Sequence, residues 1–300
     1  MEPTALEKAL FRTLAYFAYF QFPLTTREAH TWLLAPDRTY SPEEVEHCMM
    51  ESSWLKERSE THGVYVSLKT CEDWVKEREK KYLDAQRKHR KAFVMASFFM
   101  HIPGVVGVAV CNSLAWHATH KDGDIDLFVV TRPGKLWTSR LFATVPLRVL
   151  RLRPGESAND PLCLSFFADE ESLAFASLQE GEEDWYLAYW GASLLWIGGP
   201  QSLSEKFFAQ NEWMRRVLPH ARPTRPVPSL RKEGFLRLPI LFPEHFAKKI
   251  QEKLFSQKIR EKQNQSTHVV INDHMLKFHD DDRRAEISAF VRVHMQQAGL

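Results

Sequence analysis

The chain has 300 residues, 44% hydrophobic and 26% charged, and 40 basic against 38 acidic side chains give a formal net charge of +2. Those values exclude a disordered chain, a fibrous repeat and a disulfide miniprotein. A near-neutral total also predicts no bulk attraction to nucleic acid or membrane, so any such binding needs a local patch.

Residues 4–20 place Leu6, Leu10, Leu14, Phe17 and Phe20 three to four apart, which predicts a helix. Thr25 or Thr26 caps a second helix with Ala29, Trp32 and Leu33 on its apolar face. Ser41-Pro42-Glu43-Glu44 starts a third, with Ser as N-cap and Pro at N1; Val45, Cys48, Met49 and Trp54 carry its buried side. WLKERSE, a turn at Thr61-His62-Gly63 and VYVSL then form a hairpin, so residues 4–68 read as three helices and a wing. The third helix would be the DNA reader of a winged helix, yet it carries Glu43, Glu44, Glu46 and Glu51 and no Lys or Arg. Carboxylates facing phosphates repel them, so nucleic acid is not the favoured partner.

Residues 71–100 form a long helix whose middle, KEREKKYLDAQRKHRK (76–91), is strongly basic. It reads as a solvated connecting helix with ion pairs such as Glu77–Lys81, or else as a basic rim for a polyanion. From Ala92 to Trp116 there is no Asp, Glu, Lys or Arg, enough to cross a bilayer. His101 and Pro103-Gly104 interrupt it, so it reads as a helix end, a break and a buried strand, Val105–Val110, with no transmembrane segment.

Cys48, Cys71, Cys111 and Cys163 are scattered and contain no C-x-x-C pair, which predicts reduced thiols, no cysteine zinc site and a cytoplasmic chain. The N-terminus lacks the layout of a signal peptide.

The chemistry lies in GVVGVAVCNSLAWHATHKDGDIDLFVVT (104–131). After the first strand, Asn112-Ser113 make a turn that opens a helix. A second strand, Ile125–Val130, follows the Asp122-Gly123-Asp124 turn. Asp124 and Asp126, two apart, leave the same face. Two adjacent carboxylates at the start of an apolar strand call for a cation, and hard oxygen ligands suit Mg²⁺. Backbone N–H groups at Asn112-Ser113, with the Ser hydroxyl, suit a phosphate. His117 and His120, between these elements, read as surface loop, with a transition-metal site as the alternative.

This pattern resembles the nucleotidyltransferase superfamily of the DNA polymerase beta type, whose signature is a strand, a Gly-Ser turn opening a helix, and a hydrophobic strand carrying Asp-x-Asp. The match covers residues 92–200. The wider order of winged-helix-like segment, long helix, core and helical tail is similar to a bacterial group of uncharacterised nucleotidyltransferase-domain proteins. The resemblance implies that Asp124 and Asp126 are catalytic and hold one or two Mg²⁺ ions. It also implies that Asn112, Ser113 and Lys121 contact a nucleoside triphosphate, with Arg132 or Lys135 as other charge-neutralising candidates. A nucleoside monophosphate would pass to the hydroxyl of an unidentified acceptor, releasing pyrophosphate. The chain departs from the family twice. Asn112 stands where the family has Gly, although Asn tolerates the left-handed conformation. The strand expected to carry a third carboxylate, Pro161–Ala168, has Ser165 there, with Asp160 before it and Asp169 after it as substitutes.

Residues 180–197 read as a helix with Trp185, Leu187, Ala188, Ala192 and Leu195 in the core, and a shorter helix follows near 202–217. The four prolines of 219–229 mark a linker. Residues 243–264 read as one basic amphipathic helix docked by Phe246, Ile250, Leu254 and Ile259, with a membrane-surface or RNA-contacting helix as the alternative. THVVIN and MLKFH form a strand pair. His274, His279 and the acids 280–282 read as loop, the acids favouring the N-terminus of a last helix at 283–298.

The expected fold is α+β: a nucleotidyltransferase-like small mixed sheet flanked by helices, with a winged-helix-like module (1–70), a connecting helix and core (71–200) and a helical C-terminal region (201–300). The expected function is Mg²⁺-dependent nucleotidyl transfer. The alternatives are an inactive binding or regulatory protein of the same fold and a nucleic-acid-binding regulator.

Overall fold

A computed structural model describes residues 2–68, 71–156, 159–181, 183–222, 242–279 and 281–300. The predicted linker therefore lies mostly outside the described residues.

The chain is mixed α+β. It begins with α1 (Ala5–Tyr19), β1 (Leu24–Thr25), α2 (Thr26–Thr31), α3 (Pro42–Glu51), α4 (Ser53–Lys56), β2 (Ser59–His62) and β3 (Tyr65–Leu68). Each of the first three long turns into helix is fixed by a reciprocal cap: Thr4 with Glu7, Thr25 with Glu28, and Ser41 with Glu44. The strands form a small antiparallel sheet in the order β1-β3-β2. Gly63 turns the β2–β3 hairpin at φ +60°.

The long helix is α5 (Cys71–Met100). Then come β4 (Val105–Val110), α6 (Asn112–Ala115), β5 (Ile125–Thr131), α7 (Leu136–Val149), β6 (Leu162–Asp169), α8 (Trp185–Ala192) and β7 (Leu195–Gly198). After α9 (Gln201–Gln210) and α10 (Trp213–Val217), the described chain resumes with α11 (Glu244–Leu254), α12 (Gln257–Lys262), β8 (Val269–Ile271), β9 (Met275–Phe278) and α13 (Arg284–Gln297). Six strands form one sheet in the order β7-β4-β5-β6-β9-β8, antiparallel except for β5 and β6. The parallel pair is joined through α7, as parallel strands require a crossover.

Alternation along the central strands divides the core. Val108 and Val110 of β4 and Ile125, Leu127 and Val129 of β5 join the cluster that includes α5, α7 and α11. Ala109, Phe128 and Val130 face a second cluster with α8, α9 and α10. A third core ties α1, α2 and α3 to α8 and α13. Among the described residues no helix is long and apolar enough to cross a membrane.

The structure differs from expectation in three places. The predicted helix 180–197 ends at Ala192, and Leu195–Gly198 is β7, paired with β4. A short apolar run fits either state, and the free edge of β4 decides it. The helix near 202–217 is two helices, α9 and α10. The amphipathic segment breaks at Phe255-Ser256, where Ser256 caps α12, and α11 buries the face that was not expected. Phe246, Ile250 and Leu254 are 51%, 42% and 60% exposed, whereas Ala247 and Gln251 are buried. The cause is α7, whose first turn has no side-chain cap of its own. Glu244 accepts hydrogen bonds from the N–H groups of Trp137 and Thr138, supplying that cap from another helix. Gln251 donates to the Trp137 carbonyl. These polar bonds, and the small Ala247 at the contact, turn the apolar stripe outward.

Candidate active-site cavity

Asp124 precedes β5 and Asp126 is its second residue, on the side of the strand shared by Phe128. Both line a cavity of about 750 Å³ with Asn112, Ser113, Cys163 and Ser165. The predicted turn and the predicted aspartates are thus brought together. Asn112 has φ +57°, the left-handed conformation a Gly would take there. Its amide is fixed from both sides: its Oδ1 accepts from the Tyr186 hydroxyl at 3.2 Å, and its side chain hydrogen-bonds to Asp126. The amide therefore holds the carboxylate. Ser113 lies next to it on the cavity wall.

Desolvation raises the pKa of Asp126; hydrogen bonds from Asn112 and Cys163 lower it, and the charge of Asp124 raises it again. Asp124 is likewise raised by burial and drawn back down by Lys88. Two carboxylates destabilised in this way are a donor set that a divalent cation would relieve. Among the described residues no group of three or more His, Cys, Asp or Glu side chains is placed to hold a metal. Two carboxylates completed by phosphate oxygens and water suit Mg²⁺, which seldom occupies an all-protein cage. The Cys163 thiol, pushed up by burial and by Asp126, offers no thiolate for a softer metal.

The position of Ser165 follows from a break in strand register. Asp126 pairs with Cys163 and Phe128 with Phe166, so Leu164 and Ser165 together oppose Leu127. Such a bulge re-aims the extra side chain, and Cys163 and Ser165 both reach the cavity. Ser165 Oγ is 3.2 Å from His279 Nε2, and burial pushes His279 down to about 3. Neither substitute acid lines the cavity. Asp160 is held by Arg87 through two bonds of 2.8 and 2.9 Å. Asp169, at the far end of β6, bonds His274 Nδ1 at 2.7 Å. The acids that do reach the cavity are Asp281 and Asp282. Asp282 is committed to Arg284, with both its oxygens 2.9 Å from the guanidinium Nε.

The expected cations lie elsewhere. Lys121 is exposed and outside the lining, and Arg132 and Lys135 sit past the opposite end of β5. Lys81 and Arg283 are the lysine and arginine of the lining; Lys81 is only 2% exposed and lies on the α5 segment read as solvated. Burial lowers the Lys81 pKa, and Glu77 partly offsets this. The ion pair Glu77 forms on the helix is with Lys80, at 3.5 Å. Lys88, fully buried, donates to Thr119 Oγ1 at 3.1 Å, to the Gly123 carbonyl at 2.6 Å and to the His120 carbonyl. It therefore shapes the loop that delivers Asp124. His120 lies on the cavity wall; His117 packs edge-on against His89. The spacing of Lys81 and Lys88, seven apart and so on one helix face, was the sequence signal for both.

Aromatic packing forms one wall of the cavity. Trp116 contacts Phe17, Phe20 and Tyr189, and Tyr19 at the end of α1 lines the cavity with Phe20 and Trp116. Comparison with family models, with curated proteins and with solved structures returns no match.

Proposed function

We propose that the protein is a Mg²⁺-dependent nucleotidyltransferase that passes a nucleoside monophosphate from a nucleoside triphosphate to an acceptor hydroxyl. The observation that carries this reading is the convergence of Asp124 and Asp126 with the left-handed Asn112 and Ser113 in one cavity that also holds Lys81. In this reading Asp124 and Asp126 hold the ion, which supplies charge neutralisation on the transferring phosphoryl group. Ser113 hydrogen-bonds phosphate oxygens, and the Lys81 ammonium balances their charge. Trp116 and Tyr186 offer ring faces for a base. The acceptor hydroxyl releases its proton to solvent, and its oxygen forms the new bond to the α-phosphorus as the bond to pyrophosphate breaks. The order β1-β3-β2 behind three helices supports a winged-helix-like reading of the N-terminal unit.

The test is thermal stabilisation by each of the four NTPs, with Mg²⁺ or with EDTA, for the wild type and Asp124→Asn/Asp126→Asn. The expected result is a Mg²⁺-dependent rise in Tm that the double variant lacks. A folded wild type that responds to no NTP removes the reading.

A second reading, a binding protein that retains the site without turnover, is favoured by Ser165. The position of the third carboxylate holds a hydroxyl bonded to His279, and Asp160 and Asp169 are engaged elsewhere. It predicts Mg²⁺-dependent NTP binding with no pyrophosphate release for any acceptor class.

A further inference from the structure

β9 pairs with β6 only along Phe166–Ala168, so the edge of β6 from Leu162 to Ser165 has no β9 partner. A second cavity, of about 470 Å³, opens beside this edge and shares Cys163, Ser165 and Phe278 with the first. Its character is opposite. Arg140, Arg148 and Arg153 line it, and among the described residues no carboxylate does.

Arg140 is built into the wall. Its Nη1 donates to Gln251 Oε1 at 2.7 Å. Gln251 is locked in that orientation because its Nε2 donates to the carbonyls of Trp137 and Ala247. The guanidinium lies over the Phe278 ring at 4.5 Å and near the Phe255 ring at 5.7 Å. Its Nε is shut off from solvent and has no hydrogen-bond partner among the described residues. A neutral amide and two ring faces compensate a buried cation only in part. Burial, with the charge of Arg153 beside it, pushes Arg140 down to about 9, so it still carries its charge at neutral pH.

We infer that this arginine cavity binds a phosphate monoester whose apolar portion lies between α7 and the α11–α12 break. Three guanidinium groups without a carboxylate call for more than one negative charge, and their planar forks match phosphate oxygens. The cavity is larger than a phosphate. Apolar side chains, Val145, Leu254 and Ile259, line it beside the arginines, with Val145 and Leu254 exposed. The site takes its ligand independently of the Asp124/Asp126 reading.

The experiment is calorimetric titration of the full chain with hexyl phosphate, inorganic phosphate and hexanoate, together with flotation on phosphatidic acid vesicles. Hexyl phosphate is expected to bind at one site per chain, at least about tenfold tighter than either smaller probe. Arg148→Gln/Arg153→Gln, altered at the rim, weakens it by about a hundredfold, roughly tenfold for each charge-assisted contact. Arg140→Lys keeps the charge, loses the fork and weakens binding about tenfold. Asp124→Asn/Asp126→Asn binds hexyl phosphate as the wild type does, which separates failure here from failure of the nucleotidyltransferase reading. Equal affinity in the rim variant, hexanoate binding as tightly as hexyl phosphate, or binding to vesicles alone overturns the inference.

Discussion

Two helices that read as basic in the sequence, α5 and α11, resolve their patterns in opposite ways. On α5 a run that reads as solvated turns Lys81 and Lys88 inward, to 2% and 0% exposure. On α11 an apolar stripe that reads as the docking face points outward, and Ala247 and Gln251 make the contact. The difference teaches that local amphipathicity sets what a helix can bury, while unmet hydrogen-bonding groups on its neighbours set what it does bury. The loop carbonyls of His120 and Gly123 claim Lys88. The uncapped start of α7 claims Glu244.

Substitutions on both helices sharpen this contrast. Lys88→Met strands two carbonyls and a hydroxyl and should cost about 2–4 kcal/mol in urea unfolding; a loss below 1 kcal/mol would break the argument. Ala247→Leu overpacks the α7–α11 contact and should cost about 1–3 kcal/mol. Lys81→Met removes a buried charge that faces a cavity. It should leave stability unchanged or raise it by about 1 kcal/mol, while abolishing the Mg²⁺-dependent NTP shift. Because folding lowers the Lys81 pKa from 10.5, the unfolded chain binds the proton more tightly. Wild-type stability therefore climbs, relative to Lys81→Met, as pH rises from the folded value toward 10.5, and thermal melts across that range read the slope. The smallest effect belongs to Phe246→Ser, Ile250→Ser and Leu254→Ser, each within about 0.5 kcal/mol. A large loss from any of the three would restore the stripe as a docking face.

What was legible in the sequence was what neighbours in the chain decide. Ser41 announced a helix start as N-cap with Pro42 behind it, Thr25 was one of two caps read for α2, and both are caps in the structure. Asn112 was read as a left-handed turn, and its φ of +57° agrees. The Asp124/Asp126 pair follows from strand periodicity alone. What could not be read depends on partners far along the chain. The fate of Ser165 rests on a bulge against Leu127 and on His279, 114 residues away. Tyr19 and Phe20 reach the cavity through the packing of α1 on Trp116 and on Phe290 of α13. The final strand pair was foreseen, but its attachment to β6, which carries His279 and Asp281 to the cavity, has no local signature.

The incomplete pairing of β6 also has an energetic meaning. Cys163, Ser165 and Phe278 form a partition common to two chambers of opposite electrical character. Whatever factor an occupant of one chamber imposes on affinity in the other must be returned in equal measure, since the free energy of the doubly filled protein does not depend on the order of filling. Because the same three residues line both chambers, such coupling needs no relay through the rest of the fold.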